Sequence, residues 1–178
     1  MLQKGSLFNN CVVTTVMANM GFEKVLSQKG IRIYRTNVGD RYVLEKMIET
    51  GCVLGGEQSG HIIFRNISPT GDGILSALEF LNVIVGNDYD LGKIINLIPK
   101  FPQILKNIKV KDKNKILDSD YVKETVRQVE TRLNKNGRLL VRPSGTEPLI
   151  MVMAEAENIK LAEESVQAVI ESILKSDS

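Results

Sequence analysis

Between residues 11 and 64 the chain alternates strand-like and helix-like segments, and this alternation restricts its fold more than any other feature. Residues 11–16, Cys-Val-Val-Thr-Thr-Val, are largely β-branched and bounded by Asn9-Asn10 before and Asn19 to Gly21 after, as a buried strand would be. A short helix is predicted over 22–29, stopped by Gly30. In 31–36, Ile31 and Ile33 alternate with Arg32 and Tyr34, the period of a second strand. Val38-Gly39 makes a turn, Asp40 is a good N-cap, and Val43, Leu44, Met47 and Ile48 recur at helical spacing before Gly51 closes the segment. Val53-Leu54 and Ile62-Ile63-Phe64 flank a glycine-rich stretch as two more strand-like pieces. Strands separated by helices pair in parallel, so the expectation is a three-layer α/β domain with a largely parallel or mixed sheet.

Residues 66–73 are rich in Pro, Gly, Ser and Asp and read as a loop, with Asp72 capping a helix over 74–85. Leu75, Leu78, Leu81 and Val85 in that helix are expected to pack on the sheet. Gly86-Asn87-Asp88 ends it, and 91–98 reads as a short amphipathic helix. Pro99 and Pro102 mark a boundary between domains at 1–99 and 100–178, because neither a helix nor an interior strand accepts that spacing. Beyond it come a strand over 104–110, a helix begun by Asp118 or Ser119 and running through Asn134, strands over 138–141 and 149–154, and a helix over 159–174. Such a unit is a small α+β domain with helices on one face of a sheet. Lys109, Lys111, Lys113 and Lys115 alternate around Asp112 with no aromatic among them, the pattern of a solvated edge.

The 178 residues carry 23 basic and 21 acidic side chains, a net charge of +2 that calls for no nucleic-acid partner. Cys11 and Cys52 are far apart in sequence, form no CxxC, and have one histidine in the whole chain for company, so no zinc site is expected and a reducing cytoplasm fits best. The first ten residues are too polar for a signal peptide. No apolar run reaches the length of a membrane span, so no membrane is expected as a partner.

Two stretches concentrate chemistry. Gly55-Gly56-Glu57-Gln58-Ser59-Gly60-His61 packs three glycines, a carboxylate, a hydroxyl and the single histidine into seven residues. If it is extended, Glu57, Ser59 and His61 share one face, a grip for a polyhydroxylated ligand; the competing reading is a glycine-rich turn between strands. Arg142-Pro143-Ser144-Gly145-Thr146-Glu147-Pro148 offers a planar guanidinium, two hydroxyls and a free glycine backbone, the donors a phosphate requires. The competing reading there is a tight hairpin loop. Asp40-Arg41 either binds an anion at a helix start or caps the helix, and the cap is favoured. Other chemistries lack residues. Gly55 to Gly60 has the glycine spacing of a triphosphate loop, but His61-Ile62 stand where Lys and Ser or Thr are needed. Glu57 and His61 flank Ser59 where a nucleophile elbow has glycines.

Gly56 to His61 resembles the sugar-recognition loop of the α-D-phosphohexomutases, and Arg142 to Pro148 resembles their C-terminal phosphate-binding loop. Val38-Gly39-Asp40-Arg41-Tyr42-Val43 and Thr70-Gly71-Asp72-Gly73 resemble further segments of that family in the same order. The Glu-Gln-Ser variant beside Gly39 to Tyr42 is most similar to the phosphoglucosamine mutase branch, which interconverts glucosamine 6-phosphate and glucosamine 1-phosphate. The phosphomannomutase and phosphoglucomutase branches, or a non-catalytic sugar-phosphate binding module, are the alternatives. The resemblance spans the third and fourth of four family domains. It implies that Glu57, Ser59 and Arg41 bind substrate, that His61 moves a proton, and that Arg142, Ser144, Gly145 and Thr146 hold the non-reacting phosphate. It also implies a sugar bisphosphate as intermediate and activator, and Mg²⁺ in the intact enzyme. The phosphoserine loop and the Asp-Gly-Asp-x-Asp-Arg loop that binds the metal do not occur here. The chain alone is therefore expected to be inactive, to depend on missing N-terminal domains or a separate N-terminal chain, and to self-associate through uncovered faces.

Overall fold

The computed structural model describes residues 1–2, 5–87 and 90–177. Asp88, read above as part of a helix stop, lies outside the described residues. The chain divides into two compact units, Met1–Pro99 and Lys100–Ser178.

In the first unit a four-stranded sheet has the order β2-β1-β3-β4, formed by β1 (Cys11–Thr15), β2 (Arg32–Thr36), β3 (Leu54–Gly56) and β4 (Ile62–Phe64). β1 pairs parallel to both β2 and β3, whereas β4 folds back antiparallel on β3, so the sheet is mixed. Every residue of β1 is buried, and alternate side chains enter different cores. Cys11 and Val13 pack with Val43 and Met47 of α2 (Asp40–Thr50) and with Ile63. Val12 packs with Ile31, Val53, Phe22 and Leu26, the last two from α1 (Met20–Gln28). Asn19 caps α1 by accepting a hydrogen bond from the Gly21 N–H at 3.0 Å.

Three expectations for this unit need correction. Asp40 is not the N-cap of α2. Gly39 takes that position with φ 133°, a conformation that favours glycine, and Asp40 lies in the first turn, where its Oδ1 accepts from the Arg41 N–H at 2.8 Å. Cys11 and Cys52 are not separate thiols but a disulfide with 5.5 Å between their Cα atoms. Their sequence separation of 41 hides this, because the crossover that makes β1 and β3 neighbours also brings the two cysteines together. Cysteine usage therefore gives no support to a reducing compartment.

The third correction concerns α3 (Gly73–Asn87), whose main contact with the sheet is the edge strand β4. Asp72 does cap it, accepting from the Ile74 and Leu75 N–H groups at 2.9 and 3.0 Å. Yet Leu78, Leu81 and Val85, expected to pack on the sheet, are exposed, together with Ile74, Phe80 and Val83. The helix is apolar around most of its circumference, so its spacing selects no single face, and the sheet ends at β4. A surface of this kind is what drives self-association or docking of further protein. α4 (Leu91–Ile95) follows and is shorter than expected.

In the second unit β5 (Gln103–Lys109), β6 (Gly137–Pro143) and β7 (Leu149–Ala156) form an antiparallel sheet of order β5-β7-β6. Ile150, Val152, Ala154 and Ala156, alternate residues of the central strand, pack with Val122, Val129 and Leu133 of α6 (Asp120–Leu133) and with Ala162, Val166 and Ile173 of α7 (Ile159–Asp177). The basic run is not a plain edge. Asp112 caps a short helix, α5 (Lys113–Asp118), that the alternating lysines concealed, and Ile116 of α5 enters the same core. Among the described residues, no helix is long and apolar enough to cross a membrane.

Candidate functional site

The glycine-rich stretch is a hairpin turn, not an extended strand. The Gly60 N–H donates to the Glu57 carbonyl at 3.1 Å, the Glu57 N–H donates to the His61 carbonyl at 2.9 Å, and Gly60 takes φ 98°. Strand alternation therefore does not align Glu57, Ser59 and His61. The closure of the turn does: His61 Nδ1 lies 3.5 Å from Ser59 Oγ and 3.7 Å from Glu57 Oε2. Two packing contacts hold the hairpin at its base. Thr14 Oγ1 donates to the Gly56 carbonyl at 2.9 Å. Gly55 sits under α2, where a Cβ would approach Met47 Sδ to 2.5 Å and Val43 Cγ1 to 2.8 Å, so no larger residue fits.

Glu57 has a second engagement that its place in the sequence did not suggest. Its side chain is 9% exposed, and Oε1 accepts from the Gly39 N–H at 2.8 Å, tying the hairpin to the segment that starts α2. Arg41 lies in the first turn of that helix; its side chain is exposed and its Nε donates to Glu45 Oε1 at 2.8 Å. This hydrogen bond pushes the Arg41 guanidinium further up from its ordinary pKa, so it stays charged. The Thr70 to Gly73 segment also reaches the hairpin, since a Cβ on Gly71 would stand 3.4 Å from the His61 Cβ. One neighbourhood thus holds Glu57, Ser59, His61 and the Gly39 turn. An apolar pocket of about 460 Å³ lies against the same hairpin, lined by Val12, Phe22, Leu54, Ile62 and Phe64 among others. It is too poor in polar groups to seat a sugar phosphate.

The second constellation closes β6 onto β7. The Ser144 N–H donates to the Leu149 carbonyl at 2.9 Å, and Ser144 Oγ accepts from the N–H groups of Glu147 at 3.2 Å and Thr146 at 3.4 Å. Neither of these two bonds uses the Ser144 hydroxyl proton. Gly145 and Thr146 are exposed at the tip. Arg142 Nε is buried without a hydrogen-bond partner, the single such side-chain nitrogen or oxygen among the described residues. A buried donor in this state is stabilised by an anionic acceptor.

Sequence reasoning missed one participant here. Lys113, assigned to a solvated run, is half-buried, and its Nζ donates to the carbonyls of Ser144 at 2.5 Å and Glu147 at 3.2 Å. Asp112 was the available signal, as a cap residue that turns the chain into α5. Chemically, the two constellations can bind hydroxyls, a proton and an anion. Among the described residues there is no group of three or more His, Cys, Asp or Glu that could hold a metal ion.

The sequence pattern of the phosphoglucomutase/phosphomannomutase α/β/α domain III matches residues 1–101, and that of the C-terminal domain of the same proteins matches 105–172. The chain is 50% identical over 173 residues to a phosphoglucosamine mutase of Carboxydothermus hydrogenoformans, covering 97% of this chain and 39% of that protein. It is likewise 50% identical over 163 residues to one of Bacillus licheniformis, covering 92% and 36%. The chain thus spans about two fifths of the length of the curated relatives it matches. Among solved structures, an N-acetylphosphoglucosamine mutase of Aspergillus fumigatus superposes with a TM-score of 0.79 at 19% identity, over 94% of this chain and 38% of that one. An N-acetylglucosamine-phosphate mutase in its product complex gives 0.78 at 22%, over 96% and 39%. At these identities the structures speak for the fold, while the sequence matches speak for descent. The chain belongs to the phosphoglucomutase/phosphomannomutase family, the α-D-phosphohexomutases, of which it carries domains III and IV.

Proposed function

We propose that this chain is the C-terminal, ligand-binding part of a phosphoglucosamine mutase, acting on glucosamine 6-phosphate and glucosamine 1-phosphate. The observation that carries the reading is the loop after Arg142, where a buried, unpartnered guanidinium nitrogen stands beside exposed hydroxyl and glycine donors. Arg142, Ser144, Gly145 and Thr146 hold the phosphate that does not react, so that the other end of the sugar is presented for phosphoryl transfer. Glu57 commits one oxygen to Gly39, and the other, with Ser59, meets the sugar's polar groups, including an ammonium on the amino sugar. His61, exposed at the hairpin tip, accepts or returns a proton at a sugar oxygen. Arg41 adds charge at the start of α2.

None of these groups donates phosphate. The phosphoserine and the residues for Mg²⁺ have no counterpart in this sequence, and the exposed face of α3 suits coverage by further protein. The chain binds and orients, and the phosphoryl group comes from domains it does not contain. Incubated with glucosamine 6-phosphate, a sugar bisphosphate and Mg²⁺, the chain alone is expected to give no glucosamine 1-phosphate, and turnover is expected to appear when the N-terminal domains are supplied as a second polypeptide. Turnover by this chain alone would overturn the assignment.

A further inference from the structure

We infer that Lys113 is a positioning residue for the phosphate loop, an inference that rests on the reading of 142–146 as the anion site. Lys109, Lys111 and Lys115 are exposed, whereas Lys113 is half-buried and spends its ammonium on two carbonyls of the loop, those of Ser144 and Glu147. The approach is fixed from both sides. Asp112 Oδ1 accepts from the Asn114 and Lys115 N–H groups at 3.1 and 3.0 Å, setting the backbone from which Lys113 reaches, and the Val110 N–H donates to the Pro148 carbonyl at 3.1 Å. Segments 110–113 and 144–148 are thereby stitched together.

The arrangement matters because a loop that binds an anion must keep its own carbonyl oxygens away from it. Two of them are held by the Lys113 charge, which leaves the Gly145 N–H, the Ser144 and Thr146 hydroxyls and Arg142 as the groups offered to a ligand. An ionic donor to a carbonyl is stronger than a neutral one. A loop already ordered before binding loses less entropy when the ligand arrives. Lys113 touches no substrate in this scheme and acts through the loop's shape.

The test titrates the chain and its Lys113→Met, Lys113→Arg and Arg142→Ala variants with inorganic phosphate and with glucosamine 6-phosphate, following amide signals. The expected result is roughly 10-fold weaker binding of both ligands by Lys113→Met, the loss of about one charged hydrogen bond. Lys113→Arg should recover to within about 3-fold of the parent chain, because a guanidinium also donates to two carbonyls. Unfolding midpoints of the two Lys113 variants should match the parent. Unchanged binding by Lys113→Met would overturn the inference, as would an affinity loss that Lys113→Arg does not recover or that merely follows a lowered unfolding midpoint. Arg142→Ala separates the two layers. If it abolishes binding while Lys113→Met binds like the parent, the loop reading stands and the inference falls; if Arg142→Ala binds like the parent, the loop reading itself fails.

Discussion

Replacing Arg138 with alanine is expected to cost the second unit about 3–5 kcal/mol, the loss typical of stripping one partner from a buried ion pair. Arg138 on β6 stands directly opposite Glu155 on β7, and its Nε donates to Glu155 Oε2 at 2.6 Å. Glu155 is fully buried, so the substitution takes the guanidinium away from a carboxylate that water does not reach. Replacing both residues with leucine removes the charge as well as its partner and is expected to be far milder. Urea unfolding followed on amide signals of β6 and β7 checks both; a loss below about 1 kcal/mol for Arg138→Ala would show that the pair is not what holds this carboxylate in place.

Reduction of the Cys11–Cys52 bond is expected to destabilise the first unit by about 4 kcal/mol and to leave the second unit untouched. The estimate follows from the sequence separation of 41 residues and the chain entropy that such a link removes from the unfolded state. Both cysteines are buried in the core shared by β1 and α2, so reductant acts on them through opening of that unit. Urea unfolding with and without dithiothreitol, read separately on β1 and on β7, measures the difference. Equal midpoints for β1 under the two conditions would contradict it, and a Cys52→Ala variant should be insensitive to reductant.

The parts of the fold legible in the sequence are those where one local rule suffices. β1 shows itself by a β-branched run, α2 by Val43, Leu44, Met47 and Ile48 at helical spacing, and β6 and β7 by apolar runs on either side of a Pro-Gly loop. What was hidden depends on partners distant in sequence. The packing of α3 could not be read because nearly every turn of it is apolar. The hairpin at 57–60 stays open in the sequence between an extended segment and a turn, because the alternation of Glu57, Ser59 and His61 mimics a strand and the hydrogen bonds that close the turn leave no trace in composition. Cys11 and Cys52 meet through a crossover, which no local spacing reports. Lys113 looked like its neighbouring lysines, and only the capping role of Asp112 distinguishes the turn it follows. At the site, the residue types were legible and their engagements were not. Glu57 stands where a ligand-binding carboxylate was expected, yet one of its oxygens already belongs to the Gly39 turn.

The most direct test of the central claim is an amide-resolved titration of the chain with glucosamine 6-phosphate. Weak binding is predicted, no tighter than roughly millimolar because the ligand is only partly enclosed, with shifts in the 142–146 loop that are lost in Arg142→Ala and shifts in the 56–61 hairpin. Shifts confined to other surfaces, such as the apolar pocket beside Leu54 and Phe64, or no shifts at all at saturating ligand, would contradict the account.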